Sequence, residues 1–430
     1  MKKKYRIILY TSIFLLCVVA SIILVVKKSN SVYEEESKPK VVKHKSMLSM
    51  NLEQTAGAGD YKTVTQSKWP TEGYKFNAEL SRCENGSTLS WDDTKKAVIV
   101  SGNLSDKCYV YFDIYQPTLA EYIKSQYTGT QGENNIYYHD SDLANGAGDN
   151  SYRYAGANPN NFVCFGTTES PCPTDNLYRI IGVFGENYHG VTGKQLVKLI
   201  KYDYMTTDEL GTDGDYSQTY KEWGMDSTYK GTYGDGERIG VYYWNYKATG
   251  SATNTWSTSL LNKTNLNTNF INNIGTTWAN KIATVTWKVG GNTWANIGTK
   301  TSSVAYTNEI TNPVTTNTTD NATTYSAKIG LMYVSDYGFA ASPDAWTLTM
   351  SSYNNTTATN NNWMYMGLYE WTISRYADTS DRAFLVRGVG SVNSNYVSGY
   401  DFGVRASFNL ESSVSYVSGS GSMSDPIVIN

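Results

Sequence analysis

The chain has 430 residues, with 36 Lys and Arg against 39 Asp and Glu, and only 17% of its residues are charged. With 36 Tyr, 11 Trp and 11 Phe it has ample ring area to bury, which excludes the disordered class, and its length suggests two or three domains. The six basic residues before position 29 leave 30 basic and 39 acidic residues after it, a net of −9 that repels phosphate backbones and argues against nucleic-acid binding.

Residues 1–28 read as a transmembrane signal-anchor. Ile7 to Val26 are uncharged, and a helix of that length spans roughly 30 Å, the hydrocarbon thickness of a bilayer. Lys2, Lys3, Lys4 and Arg6 before the run, against Lys27 and Lys28 after it, favour a cytoplasmic N-terminus and place the rest outside the cell. A cleaved signal ending near Val18-Val19-Ala20 is the alternative. Residues 29–57 are charged and aperiodic and read as a flexible tether.

Residues 58–116 read as a small β module. Ala97–Val100 and Cys108–Phe112 are β-rich runs, punctuated by turn signals at Asn85-Gly86 and Ser101-Gly102-Asn103. Cys83, Cys108, Cys164 and Cys172 allow three pairings. The local one, Cys83–Cys108 with Cys164–Cys172, is expected, since zinc would want a C-x-x-C spacing that is absent. Cys17 lies within the apolar run, and Leu16 stands where a lipoprotein signal wants a small residue.

Residues 117–151 read as a helix and linker. Thr118-Leu119-Ala120-Glu121 is a capping-box pattern, with Leu119, Ile123 and Tyr127 on one face, and a polar loop follows from Gly129 to Asn150. Residues 152–430 form the large domain. Leu177–Phe184 and Leu196–Ile200 read as a strand pair, 208–255 as loop, Ser257–Ile274 as a helix with Trp278–Ile282 extending it, and 302–325 as loop. Ile329–Val334, Trp346–Met350, Val404–Leu410 and Pro426–Ile429 are further strand candidates. Runs of strands and helices without βα alternation point to an α+β class.

Catalytic patterns are scarce. His44, His139 and His189 have no nucleophile or orienting partner in sequence, and no H-E-x-x-H, G-x-S-x-G or phosphate loop occurs. No metal, cofactor or catalytic residue is expected. Asp213 and Asp215 alternate as calcium ligands do, but the twelfth position of such a loop would be Gly224 rather than Glu, so a solvated acidic turn is expected. Tyr229, Tyr233, Tyr242, Tyr243, Trp244 and Tyr246 stand in a Gly-rich stretch and are candidate ligand-binding residues, core filling being the alternative. Trp256, Trp287, Trp346 and Trp371 lie beside apolar runs and are expected in the core.

The C-terminal third carries Tyr369-Glu370-Trp371-Thr372, then Phe384-Leu385-Val386-Arg387-Gly388-Val389-Gly390-Ser391, then Gly403-Val404-Arg405. This order resembles the E-W-T, R-G-G-S and G-F-R signature of the formylglycine-generating-enzyme-like branch of the C-type-lectin fold, with Val389, Val392 and Val404 departing from it. The resemblance implies a structural polar framework of Glu370, Trp371, Arg387 and Arg405. Oxidase activity in that branch uses late cysteines, and this chain has none after Cys172, so the resemblance implies a non-catalytic platform. The YRYAGANPNNFVCFG segment and the S-G-S-G-x-x-x-D-P-I-x-I ending also resemble membrane-anchored surface proteins of Gram-positive-type bacteria.

The expected architecture is therefore α+β: a transmembrane helix, a small β-sandwich-like module, then an irregular C-type-lectin-like domain with long loops. The expected function is that of an adhesin-like protein binding an extracellular glycan or protein. A structural envelope component, or a surface hydrolase with two carboxylates about 5–10 Å apart, are the alternatives.

Overall fold

Along Cys108–Ile114 the side chains of Cys108, Val110 and Phe112 are buried while Tyr109 and Tyr111 between them are only half-buried, the two-residue period of a strand with one covered face. That strand is central to the first of two compact units, which divide between Gln116 and Pro117. The computed structural model describes residues 48–65, 68–70, 73–220, 229–234, 238–250, 252–313, 323–354 and 356–430.

The smaller unit contains β1 (Leu48–Glu53), β2 (Tyr61–Val64), β3 (Tyr74–Cys83), β4 (Thr88–Asp92), β5 (Ala97–Ser101) and β6 (Cys108–Ile114). The sheet order is β2-β1-β6-β3, with β1 parallel to β6, and β4 pairs with β5 as a separate hairpin. Met50, Leu52, Val98, Val110 and Phe112 make the core, with Trp69, Phe76 and Trp91 around the Phe112 ring at 5.9, 5.9 and 5.6 Å. Cys83 and Cys108 face each other across β3 and β6 and form a disulfide. The tether expected at 29–57 is corrected at its end, because Leu48–Glu53 is an interior strand. Its parallel partner lies far downstream, and a pairing so distant leaves no local mark.

The larger unit continues with β7 (Ile136–His139), β8 (Ser151–Tyr154), β9 (Phe162–Cys164), β10 (Leu177–Phe184), β11 (Leu196–Lys201), β12 (Tyr216–Thr219) and β13 (Gly240–Tyr243). Then come β14 (Val285–Lys288), β15 (Gly291–Asn292), β16 (Thr324–Ala327), β17 (Ile329–Gly330), β18 (Glu370–Tyr376) and β19 (Arg382–Val386). The series ends with β20 (Val392–Tyr396), β21 (Asp401–Phe402), β22 (Ser407–Asn409), β23 (Tyr416–Ser418) and β24 (Val428–Ile429).

Its main sheet has the order β17-β22-β11-β10-β8-β7, with β9 beside β10. Every residue of β10 and β11 is buried, as befits strands covered on both faces. Two smaller sheets, β12-β13-β21 and β15-β18-β19-β20, carry the site described below. The Leu119–Ser125 helix begins with a complete capping box between Thr118 and Glu121, and Cys164 is joined to Cys172.

The expected α+β class is corrected: among the described residues the fold is β-rich, and the helices are few and short. The helix expected at Ser257–Ile274 is wound with π-type hydrogen bonds over Leu261–Phe270, then runs as α-helix over Ile271–Ala279, broken by Gly275 at φ 76°. Its inner side holds Asn262 and Asn265, whose amides donate to the Trp256, Leu210 and Asp213 carbonyls, while Leu260 is exposed. The apolar residues Leu261, Leu266 and Phe270 are buried in the core beside these amides, and Ile271 and Ile274 pack against it.

Trp346–Met350, expected as strand, lies between two short tight turns of helix at Pro343–Ala345 and Met350–Ser352. The loop expected at 302–325 holds the Ser302–Tyr306 helix and β16, and the polar loop at Gly129–Asn150 holds β7. Among the described residues no helix is long and apolar enough to cross a membrane, and the span expected at Ile7–Val26 lies outside them. The topology shows nothing specific to a C-type-lectin-like domain, so that part of the expected architecture is corrected too.

Candidate functional site

A parallel bridge between Glu370, at the start of β18, and Gly403, just after β21, brings two sequence motifs together. A Cβ at Gly403 would stand 2.7 Å from the Tyr204 ring, so only glycine permits this approach. Arg405 then reaches Glu370 in a two-pronged pair, Nε to Oε1 at 2.8 Å and Nη2 to Oε2 at 2.8 Å, and Nη2 also donates to the Met364 carbonyl at 2.7 Å. Both side chains are buried. Burial alone would lower the Arg405 pKa, but the Glu370 carboxylate more than offsets this and holds it above its ordinary value. Trp371 lies beneath, its Nε1 donating to the Tyr242 carbonyl at 2.8 Å.

Arg387 does not join this framework, which corrects its expected place there. It sits half-buried in the hairpin turn between β19 and β20, its N–H bonded to the Ser391 carbonyl, and among the described residues it forms no ion pair. Gly390, at φ 92°, closes that turn, and its carbonyl accepts from the Tyr337 hydroxyl at 2.7 Å. The two glycines of the R-G-V-G-S stretch serve the turn, and among the described residues Arg405 alone satisfies the carboxylate.

Above the buried framework opens a groove of about 300 Å³, walled by Tyr369, Phe402, Tyr400, Val241 and Tyr220 and rimmed by Gln218, Asn395 and Asp401. Tyr369 and Glu370 are chain neighbours on opposite sides of the backbone, so burying the acid turns the tyrosine outward, 40% exposed. The Phe402 ring lies 4.7 Å from Trp371 below it. It is near-parallel to Tyr369 at 5.2 Å and to Tyr400 at 6.1 Å. Tyr400 is 46% exposed. Gln218 Nε2 donates to Asp401 Oδ2 at 3.1 Å, which holds the carboxylate at the rim. Among the described residues lining the groove Asp401 is the one acid, and there is no base.

The six aromatics singled out in the Gly-rich stretch do not share one face and do not line this groove. Tyr242 and Trp244 are fully buried. Tyr243 and Tyr246 stack on each other at 4.8 Å, with Tyr246 exposed. Tyr229 donates to both oxygens of Asp203 at 2.8 and 2.9 Å, and burial with that carboxylate raises its pKa, while Tyr233 is half-buried beside it. The reason is strand alternation along β13, which sends successive tyrosines to opposite sides.

Asp215 is buried rather than solvated. It accepts the N–H groups of Tyr246 at 2.9 Å and Leu261 at 2.7 Å, and burial raises its pKa. Asp213 accepts from the Asn269 amide at 2.6 Å. Among the described residues no group of three or more His, Cys, Asp or Glu side chains is placed to hold a metal.

Tyr400 and Phe402 escaped the sequence reading. The G-Y-D-F-G stretch at 399–403 was their only signal, alternate aromatics between glycines. Comparison with protein-family models, with curated proteins and with solved structures gives no match.

Proposed function

We propose that this protein works outside the cytoplasm, held at a membrane surface by its apolar N-terminal run, and binds a neutral glycan in the Tyr369–Phe402–Tyr400 groove. The observation that carries this reading is the row of three near-parallel rings beside a carboxylate and two amides. The C–H faces of a sugar ring pack on aromatic faces, and its hydroxyls need acceptors and donors at the edge. A volume of about 300 Å³ is at the lower end for ligand sites and suits one or two sugar units. Asp401 at the rim, with no cationic side chain among the described lining residues, disfavours anionic polymers. The two disulfides support an oxidising compartment.

Binding is favoured over hydrolysis, since a carboxylate mechanism needs two acids flanking one bond and the groove offers Asp401. A neutral-glycan array with the exported chain tests this. Binding weakened in Tyr400→Ala but kept in Tyr246→Ala supports the groove, and an array with no hit rejects the reading.

A further inference from the structure

Lys198 sits in the middle of β11 with its side chain wholly buried, its Nζ 2.7 Å from Oδ2 of Asp336, which is equally buried at the start of the Val334–Phe339 helix. Three rings enclose the amine: the centroids of Tyr333, Tyr188 and Trp287 lie 4.4, 4.9 and 5.0 Å from Nζ. The Tyr188 hydroxyl bridges the pair. It accepts from Lys198 Nζ at 2.9 Å and donates to Asp336 Oδ1. The N–H of Tyr333 donates to Oδ2 at 3.0 Å, and Arg153 Nη1 lies 4.0 Å from Oδ1. Amine and carboxyl are thus pressed together in a buried aromatic box, with a hydroxyl linking one to the other.

We propose that Lys198 and Asp336 condense spontaneously to an intramolecular amide, a covalent tie between β11 and the Val334–Phe339 helix. A buried ion pair carries a large desolvation cost that the neutral pair escapes, and burial lowers the Lys198 pKa. The bridging hydroxyl supplies the route: as an Nζ proton passes to the Tyr188 oxygen, the Tyr188 proton passes to Oδ1. This leaves a neutral amine beside a carboxylic acid.

The Nζ lone pair then adds to Cγ, and the Tyr333 N–H faces the negative charge that develops on Oδ2. A second Nζ proton returns through Tyr188 to Oδ1, which departs as water while the carbonyl reforms at Oδ2. One C–N bond forms, one C–O bond breaks, one water leaves and nothing is oxidised or reduced. Holding both groups in contact replaces a bimolecular encounter, and release of the water to bulk solvent favours the amide.

Mass spectrometry of the full chain, reduced and denatured, decides this. A proteolytic digest should contain a branched peptide joining the Lys198 and Asp336 segments, one water lighter than the sum of the two linear peptides. Lys198→Met should abolish it. Tyr188→Phe should slow its appearance in freshly made protein by roughly a hundredfold or more. Linear peptides alone from the wild-type chain, with Lys198 carrying a free amine, would overturn the proposal whether or not the variants fold. A Tyr188→Phe chain that links as fast as wild type would overturn the relay.

Discussion

The smaller unit is held by Met50, Leu52, Val98, Val110 and Phe112 and by a disulfide between neighbouring strands. The larger unit has an extensive apolar core, and it buries Arg153, Lys198, Asp336, Glu370 and Arg405 inside it. A small core stays close to the threshold of stability, so a covalent staple matters there. A large core tolerates internal charge, provided that each charge is paired, and the pairing then specifies which elements meet. Lys198–Asp336 joins β11 to a helix more than a hundred residues downstream, and Glu370–Arg405 joins β18 to the chain after β21.

Four experiments would break or sharpen this contrast. The largest effect is expected from Asp336→Ala, which strands Lys198 and removes a partner of the Tyr188 hydroxyl and the Tyr333 N–H. Chemical denaturation should register a loss of about 3–5 kcal/mol in the larger unit. Next, Cys83→Ala with Cys108→Ala should cost the smaller unit about 2–4 kcal/mol, followed through the fluorescence of Trp69 and Trp91. Equal sensitivity of the larger unit to loss of Cys164–Cys172 would undo the comparison.

The third concerns pH. His139 is fully buried against Phe339 and Trp346, and burial, assisted by the Arg153 charge, holds its pKa well below the ordinary 6.5. Its Nδ1 accepts the Ala147 N–H at 3.0 Å, which requires the neutral ring. The unfolded chain therefore binds more protons than the folded one as pH falls below about 6.5. Stability is full above that value and drops below it by about 1.4 kcal/mol per pH unit for this imidazole. His189, also lowered by burial, adds a slope of the same sign. Melting curves of His139→Asn should be flatter over this range; an unchanged slope would contradict the assignment.

The smallest effect on stability belongs to Tyr400→Ala, exposed at the groove. Its melting temperature should stay within error of wild type, while glycan affinity falls roughly tenfold, about 1.4 kcal/mol, by calorimetry.

Several elements were legible in the residues alone, and each rests on near neighbours. The Thr118–Glu121 capping box, the β10–β11 pair and the local pairing Cys83–Cys108 with Cys164–Cys172 all appear in the structure. The Glu370-Trp371 and Gly403-Val404-Arg405 motifs pointed to a polar framework, and Glu370 and Arg405 do meet. Arg387 was misplaced although Val386 pairs with Glu370 across β18 and β19, because successive residues of a strand send their side chains to opposite faces.

What tertiary structure decided is whatever depends on distant partners. Leu48–Glu53 is an interior strand because the distant β6 covers the edge that β2 leaves open, and Leu261–Phe270 winds loosely around buried asparagines. Sequence alone determined a composition rich in rings and poor in charge, with strand and cap signals spaced along the chain. That Tyr369 faces solvent was settled by burial of Glu370 against Arg405, since one inward side chain turns its strand neighbour outward.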